Sequence, residues 1–349
     1  MIIRRISMCP SRAAVSFTLL LVSLIGTTTQ GAPLIEVESF AAPGNAVQME
    51  YSAQYDMLFL RNSGSAIHVI DASSQSTVGM RLANETFTDF DLTPDGRYLY
   101  AADYGGTHIG YGNPARPSYA QRYDLGANVW EARTAPWVIY RIEGVSESRY
   151  LVQEIDQHVD MMLNSWGPTS QEIDRIGADY YGDFEYDHRL NRIYHGSSGS
   201  SSSEIHVRRL VGDDLLGGGS TGVYGTADRG GGTSVLSTDG LTFYYGALQV
   251  EALDVTNNLR FFPEPIYAAT PGIAFGRNGY YDAHSGQLLG NLGFQTSVYA
   301  LSDSGNHIWA FDPATDVLHH YVIPEPTAAL LATLGILTAL RPMRSRRIK

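Results

Sequence analysis

Between Pro33 and Val322 the apolar residues come in short runs broken by Gly, Asp and Asn, without the three-and-four spacing of a long amphipathic helix. The runs repeat. FDLTPDGRYLYAAD (90–103), SVLSTDGLTFYYGA (234–247) and VYALSDSGNHIWAFD (298–312) each read as a strand, a tight turn and a second strand rich in Tyr, Phe or Trp. Asp-Gly in such a turn supplies the positive φ angles that a short hairpin needs. MEYSAQYDMLFLRN (49–62) and FEYDHRLNRIYHG (184–196) repeat the pattern without the glycine.

A second motif follows several of these units: an apolar strand, an Asp, a small polar turn and another apolar strand. It occurs in HVIDASSQSTVGMRL, QRYDLGANVWEAR, EALDVTNNLRFF, YYDAHSGQLLGNL and WAFDPATDVLHHY. Asp71, Asp124, Asp254, Asp282 and Asp312 are therefore expected to cap turns through their own side chains. Together the two motifs make four short strands in about 40–45 residues, the unit of a β-propeller blade. Pro33 to Ile323 then holds close to seven blades. Six or eight blades, or a pair of β-sandwiches, also satisfy the turn spacing. The stretch Trp137 to Gly177 fits the repeat poorly, and LIEVESF (34–40) is expected to complete the last blade and close the ring. YGGTHIGYGNPARPSY (104–119) and HGSSGSSSSE (195–204) read as loop insertions. The body resembles the YVTN-type seven-bladed propellers of exported bacterial proteins, LTPDGRYLYAAD being the nearest match.

Charge adds topology. The chain carries 24 Lys and Arg against 36 Asp and Glu, a formal charge of -12, yet eight of the bases lie in the first twelve and last nine residues. The middle is left at -20, which disfavours nucleic acid as a partner. MIIRRISMCPSR, the apolar stretch Ala13–Ile25 and GTTTQGAP have the three parts of a secretory signal, with residues 1–31 removed. Cys9, the only cysteine, lies in that leader, so no disulfide framework is expected.

The C-terminus reads IPEPTAALLATLGILTALRPMRSRRIK. Thr327 to Leu340 is uncharged but short for a membrane span, and Arg344 and Arg346 can extend its apolar reach by snorkelling. Bases at both termini would leave the acidic middle outside. Pro324-Glu325-Pro326, the apolar run and the cluster Arg341, Arg344, Arg346 and Arg347 resemble a PEP-CTERM sorting signal, here residues 323–349. That resemblance implies a short C-terminal transmembrane helix and a bacterial protein held transiently in the cytoplasmic membrane. It also implies processing by an exosortase and release to the cell surface or an extracellular polysaccharide matrix.

Signatures of chemistry are few. The sequence holds no GxxxxGK[ST], no HExxH and no GxSxG elbow, and its Gly-Gly-Gly runs at 217–219 and 230–232 read as turns. Asp183, Glu185 and Asp187 would share one face of a strand and could offer hard oxygen ligands to calcium, although a solvated acidic face has the same pattern. Asp156, His158 and Asp160 could contribute to a transition-metal site only with help from other blades. No catalytic residue and no other cofactor is expected. The sequence therefore points to an all-β, non-catalytic propeller, residues 32–322, that binds an extracellular glycan or protein. A propeller enzyme of the metal-dependent lactonase or lyase type and a self-assembling surface protein are the alternatives.

Overall fold

In the computed structural model, residues 34–105, 117–135, 138–154, 160–177, 182–197, 204–220 and 233–324 are described. They form seven four-stranded antiparallel sheets, each built from strands consecutive in the chain except the last. Blade 1 runs from Ala46 to Leu82, blade 2 from Thr86 to Ala135, blade 3 from Ile139 to Gly177 and blade 4 from Gly182 to Ser220. Blades 5 and 6 run from Ser234 to Phe261 and from Ile266 to Gly290. Blade 7 takes three strands from Tyr299–Val322 and its fourth from Ile35–Ala41, which pairs Ile35 with Val322 and Ala41 with Val317. The first strands of the blades contact one another in sequence, and the blade 7 strand returns to that of blade 1, so the ring is closed and its innermost strands surround an axis. Neither six, eight nor a sandwich pair describes it.

The hydrophobic pattern explains the stacking. Seven clusters of buried side chains occupy the seven junctions between neighbouring blades. Tyr100 stacks on Tyr150 between blades 2 and 3, Tyr194 on Phe243 between 4 and 5, and Tyr51 meets Trp309 at 4.0 Å where blade 7 joins blade 1. Each ring buries a large apolar area against the next sheet, so the aromatic second strands hold adjacent blades together.

The turns also follow from sequence. Gly96, Gly240 and Gly305 sit at φ 66°, 66° and 69° in hairpins between the first and second strands, a conformation costly for other residues. Asp71, Asp124, Asp254 and Asp282 accept backbone N–H bonds from their turns between third and fourth strands. Asp312 caps a turn too, through Ala314 N at 2.9 Å, but between the second and third strands. Its turn lies on the opposite face of the ring because blade 7 receives its outer strand from the N-terminus. The poorly fitting stretch 137–177 contains a regular blade. Its first hairpin turns over Glu147-Ser148, with no glycine to mark it. The supposed insertion at 195–204 begins inside a strand, where His195 and Ser197 are buried.

The leader 1–31, most of the insertion at 104–119, the pair Asp156 and His158, and the tail from Glu325 onward lie outside the described residues. Among the described residues no helix is long and apolar enough to cross a membrane.

Candidate functional site

Aligning the first strands by their hairpins brings seven residues into one frame: Glu50, Asp91, Glu143, Glu185, Val235, Ala268 and Ala300. Their partners on the second strands are Phe59, Tyr100, Leu151, Tyr194, Tyr244, Phe275 and Trp309. Cross-strand partners share a face. The four acids of blades 1–4 therefore occupy the position that Val, Ala and Ala fill in blades 5–7. Two residues earlier stand Gln48, Asp89, Arg141 and Asp183.

The aspartates of this inner layer tie one blade to the next. Asp89 accepts from Gln48 Nε2 of blade 1 at 2.8 Å and from the Ile142 N–H of blade 3 at 3.0 Å. Asp91 accepts from the Gly144 N–H at 2.8 Å, and Asp183 from the Ser234 N–H of blade 5 at 2.7 Å. Arg141 lies 3.7 Å from Asp89 and 3.4 Å from Asp183. Arg61 donates to Gln48 Oε1 at 3.0 Å and to the Phe87 carbonyl at 2.9 Å. These bonds supply partners to inner-strand groups that would otherwise be desolvated unpaired.

Glu143 shares a side-chain hydrogen bond with Asp91 of blade 2, and Glu185 interacts electrostatically with both Glu143 and Glu50. Burial lifts all three glutamates well above the usual carboxylate range, and the neighbouring Asp91, Asp89, Asp183 and glutamates lift them further. Glu185 of blade 4 is pushed by Glu50 of blade 1, so the group spans the axis. Burial raises Asp91 to about 7, with Asp89 adding and the Gly144 N–H opposing. Asp183 is raised by burial against the pull of Arg141. The axis therefore retains protonated carboxyl groups near neutrality, which can both donate and accept hydrogen bonds.

The trio singled out from sequence divides. Asp183 and Glu185 belong to this axial layer. Asp187, at the end of the strand, accepts from the Arg189 backbone N–H at 2.9 Å and from its Nε at 3.0 Å. Among the described residues no group of three or more His, Cys, Asp or Glu is arranged to hold a metal ion. Asp160 pairs with Arg175 at 2.6 Å.

The described histidines of the strands stand off the axis, on second and third strands. His195, buried between blades 3 and 4, meets Gln153 Nε2 at 2.9 Å; burial, His206 and Arg208 push it down to about 3. It is neutral at any ordinary pH. Sequence reading missed the axial acids of blades 1–3. The signal was present in the frames MEYS, FDLT, IEGV and FEYD, read against SVLS, YAAT and YALS.

The class these features define is the seven-bladed β-propeller. The β-propeller domain of Cps50 (Swd1) from Myceliophteria thermophila superposes with a TM-score of 0.63 at 12% identity, over 84% of this chain and 100% of that domain. At that identity the likeness concerns the fold. No protein family matches the sequence, and no curated protein does.

Proposed function

We propose that this chain is an exported binding propeller, processed by an exosortase at Pro324-Glu325-Pro326 and displayed at the cell surface or in an extracellular polysaccharide matrix. There it holds a glycan or protein ligand without catalysing a reaction. The observation that carries this reading is where the ring ends. Its last inner-chain strand stops at Val322 and its closing strand begins at Ile35. Both signal-like segments therefore fall outside the ring, and their removal costs no blade and exposes no sheet edge. A closed ring without an open sheet edge suits display outside the cell, and its chemically divided axis offers polar groups to a ligand.

The test uses the full chain in a bacterium that carries an exosortase. Wild type should be recovered outside the cytoplasmic membrane, with its mass reduced at both ends, and be retained on the host's extracellular polysaccharide until free sugar displaces it. Replacing Pro324, Glu325 and Pro326 by Ala should leave a longer, membrane-associated form. Recovery of the intact chain, tail included, from the soluble cytoplasm would end the proposal.

A further inference from the structure

A second feature lies away from the axis, between blades 4 and 5. There a cavity of about 210 Å³ is lined by Arg192, Arg209, Gly218, Gly219, Ser220 and the turn Leu253–Thr256. Arg192 and Arg209 are direct partners across the second and third strands of blade 4. Two like charges directly opposite each other oppose folding. Arg192 is tied by Nη1 to the Ala252 and Leu253 carbonyls at 3.2 and 3.0 Å. Arg209 is exposed, and among the described residues no hydrogen bond or ion pair of its side chain is recorded, in a chain with 36 acids to 24 bases. Asp254 lines the same cavity, yet no ion pair joins it to Arg209.

The floor is equally unusual. Gly218 is required, because a Cβ would stand 2.9 Å from the Val207 carbonyl oxygen, and Gly219 is required by its φ of 127°. Gly218 and Gly219 thus keep side chains out of the cavity beside the Arg209 guanidinium.

We infer that this cavity binds a hydroxylated carboxylic acid the size of one sugar ring, of the hexuronate class, with its carboxylate on Arg209. The guanidinium fork matches a carboxylate through two parallel N–H bonds. Ser220, Thr256 and Asp254 line the same cavity and suit hydroxyl groups, while the absence of an aromatic ring in its lining disfavours a flat aromatic acid. The volume is below that of ordinary drug-sized pockets, which fits a single ring of a longer chain. An acidic peptide would satisfy Arg209 but leave those hydroxyl partners unused. The inference deepens the binding reading above and rests on it only for the origin of the ligand.

The experiment titrates the purified full chain with a galacturonate trimer, a neutral galactose trimer and a glutamate oligomer. The galacturonate trimer should bind at least about tenfold more tightly than the other two, the gain of a charge-assisted bond. Arg209→Ala should cost about tenfold in affinity, Arg209→Lys less, and Ser220→Ala should weaken binding by removing a hydroxyl of the lining. Arg209→Ala should melt no lower than wild type, since it relieves the facing charges. Equal binding of the acidic and neutral trimers, tighter binding of the glutamate oligomer, unchanged affinity in both variants, or no binding by wild type would each overturn the inference. Retention of these variants on whole polysaccharide at wild-type strength would end this site while leaving the binding reading intact. If nothing is retained, that reading fails, and the trimer titration still decides the site.

Discussion

Blades 1–4 and blades 5–7 place the same backbone position beside the axis and fill it with opposite chemistry. In the first group the position holds Glu50, Asp91, Glu143 and Glu185; in the second it holds Val235, Ala268 and Ala300, all buried in the clusters between blades. The strands differ as well. Those of blades 1–4 are six to eight residues long, those of blades 5 and 6 only three or four. Desolvated acids weaken a ring, and the half that carries them has the longer ladders and the aspartate bonds from strand to strand. The half with apolar axial residues joins its blades by packing and by fewer bonds of this kind, such as Thr238 N–H to the Ala269 carbonyl at 3.1 Å and Tyr299 to the Gly276 carbonyl at 2.7 Å. The fold thus sets where a side chain points, and local support sets which chemistry can be placed there.

The strongest way to break this contrast is to move an acid across it. Ala268→Glu puts a carboxyl in the frame of Glu50 without a long ladder or a donor beside it. It should cost about 3–5 kcal/mol in urea unfolding at pH 8, the range for an uncompensated buried charge. A loss below about 1 kcal/mol would mean that the apolar half tolerates acids equally well, and the contrast would have no energetic content.

The reverse change removes the acids from the half that has them. The folded chain holds protons on Glu50, Asp91, Glu143 and Glu185 more tightly than the unfolded chain does. Their contribution is therefore fully present below the unfolded carboxylate value of about 4, and is lost as pH rises through about 7, where Asp91 titrates, and above. Combined Glu50→Gln, Glu143→Gln and Glu185→Gln should add about 2–3 kcal/mol at pH 8 and flatten the fall in stability between pH 6 and 9. Parallel pH profiles for variant and wild type would show that the glutamates do not titrate together.

A third change addresses the seam where the acidic half meets the apolar one. Asp183 accepts from the Ser234 N–H there and lies 3.4 Å from Arg141. Asp183→Ala should cost about 1–2 kcal/mol, because a buried N–H loses its partner. Asp183→Asn, which keeps an acceptor, should recover most of that. If the two variants melt together, the ion pair rather than the backbone bond matters at the seam.

How much of this was legible without coordinates depended on whether a feature is local. The hairpins with Asp-Gly or Ser-Gly announce themselves, since Gly96, Gly240 and Gly305 meet a backbone demand within four residues. The closing strand was legible because LIEVESF is a strand with no blade of its own. Blade 3 was obscured because Glu147-Ser148 turns the chain without glycine. The axial acids are non-local. Glu50, Asp91, Glu143 and Glu185 lie in four separate repeats, and nothing in any one repeat says that its acid faces three others. Asp187 misled for the opposite reason: its alternation with Glu185 is right, yet a local bond to Arg189 decides its use.

The smallest expected effect lies in blade 7, where the apolar half closes the ring. Glu38 of the closing strand stands opposite His320 and is bonded to its Nδ1 at 2.9 Å, while His307 Nδ1 lies 3.0 Å from His320 Nε2. Gln75 of blade 1 donates to the other oxygen of Glu38 at 2.5 Å, and Trp309 stacks on the His320 ring at 4.6 Å. Burial lowers the proton affinity of His320, with His307 adding to it and Glu38 and Asp56 opposing. The folded state thus binds this proton less tightly than the unfolded state. The contribution is present above about pH 6.5 and is lost as pH falls through that value, the opposite limb from the axial acids. His320→Gln can still donate to Glu38 but does not titrate, so the variant should lose about 0.5 kcal/mol less than wild type between pH 8 and pH 5. The slope that remains belongs to His68 of blade 1, lowered by burial, and to His195 of blade 4, which burial pushes down to about 3. If His320→Gln leaves the acid limb unchanged, ring closure is insensitive to this proton, and the histidine response resides in the half that carries the axial acids.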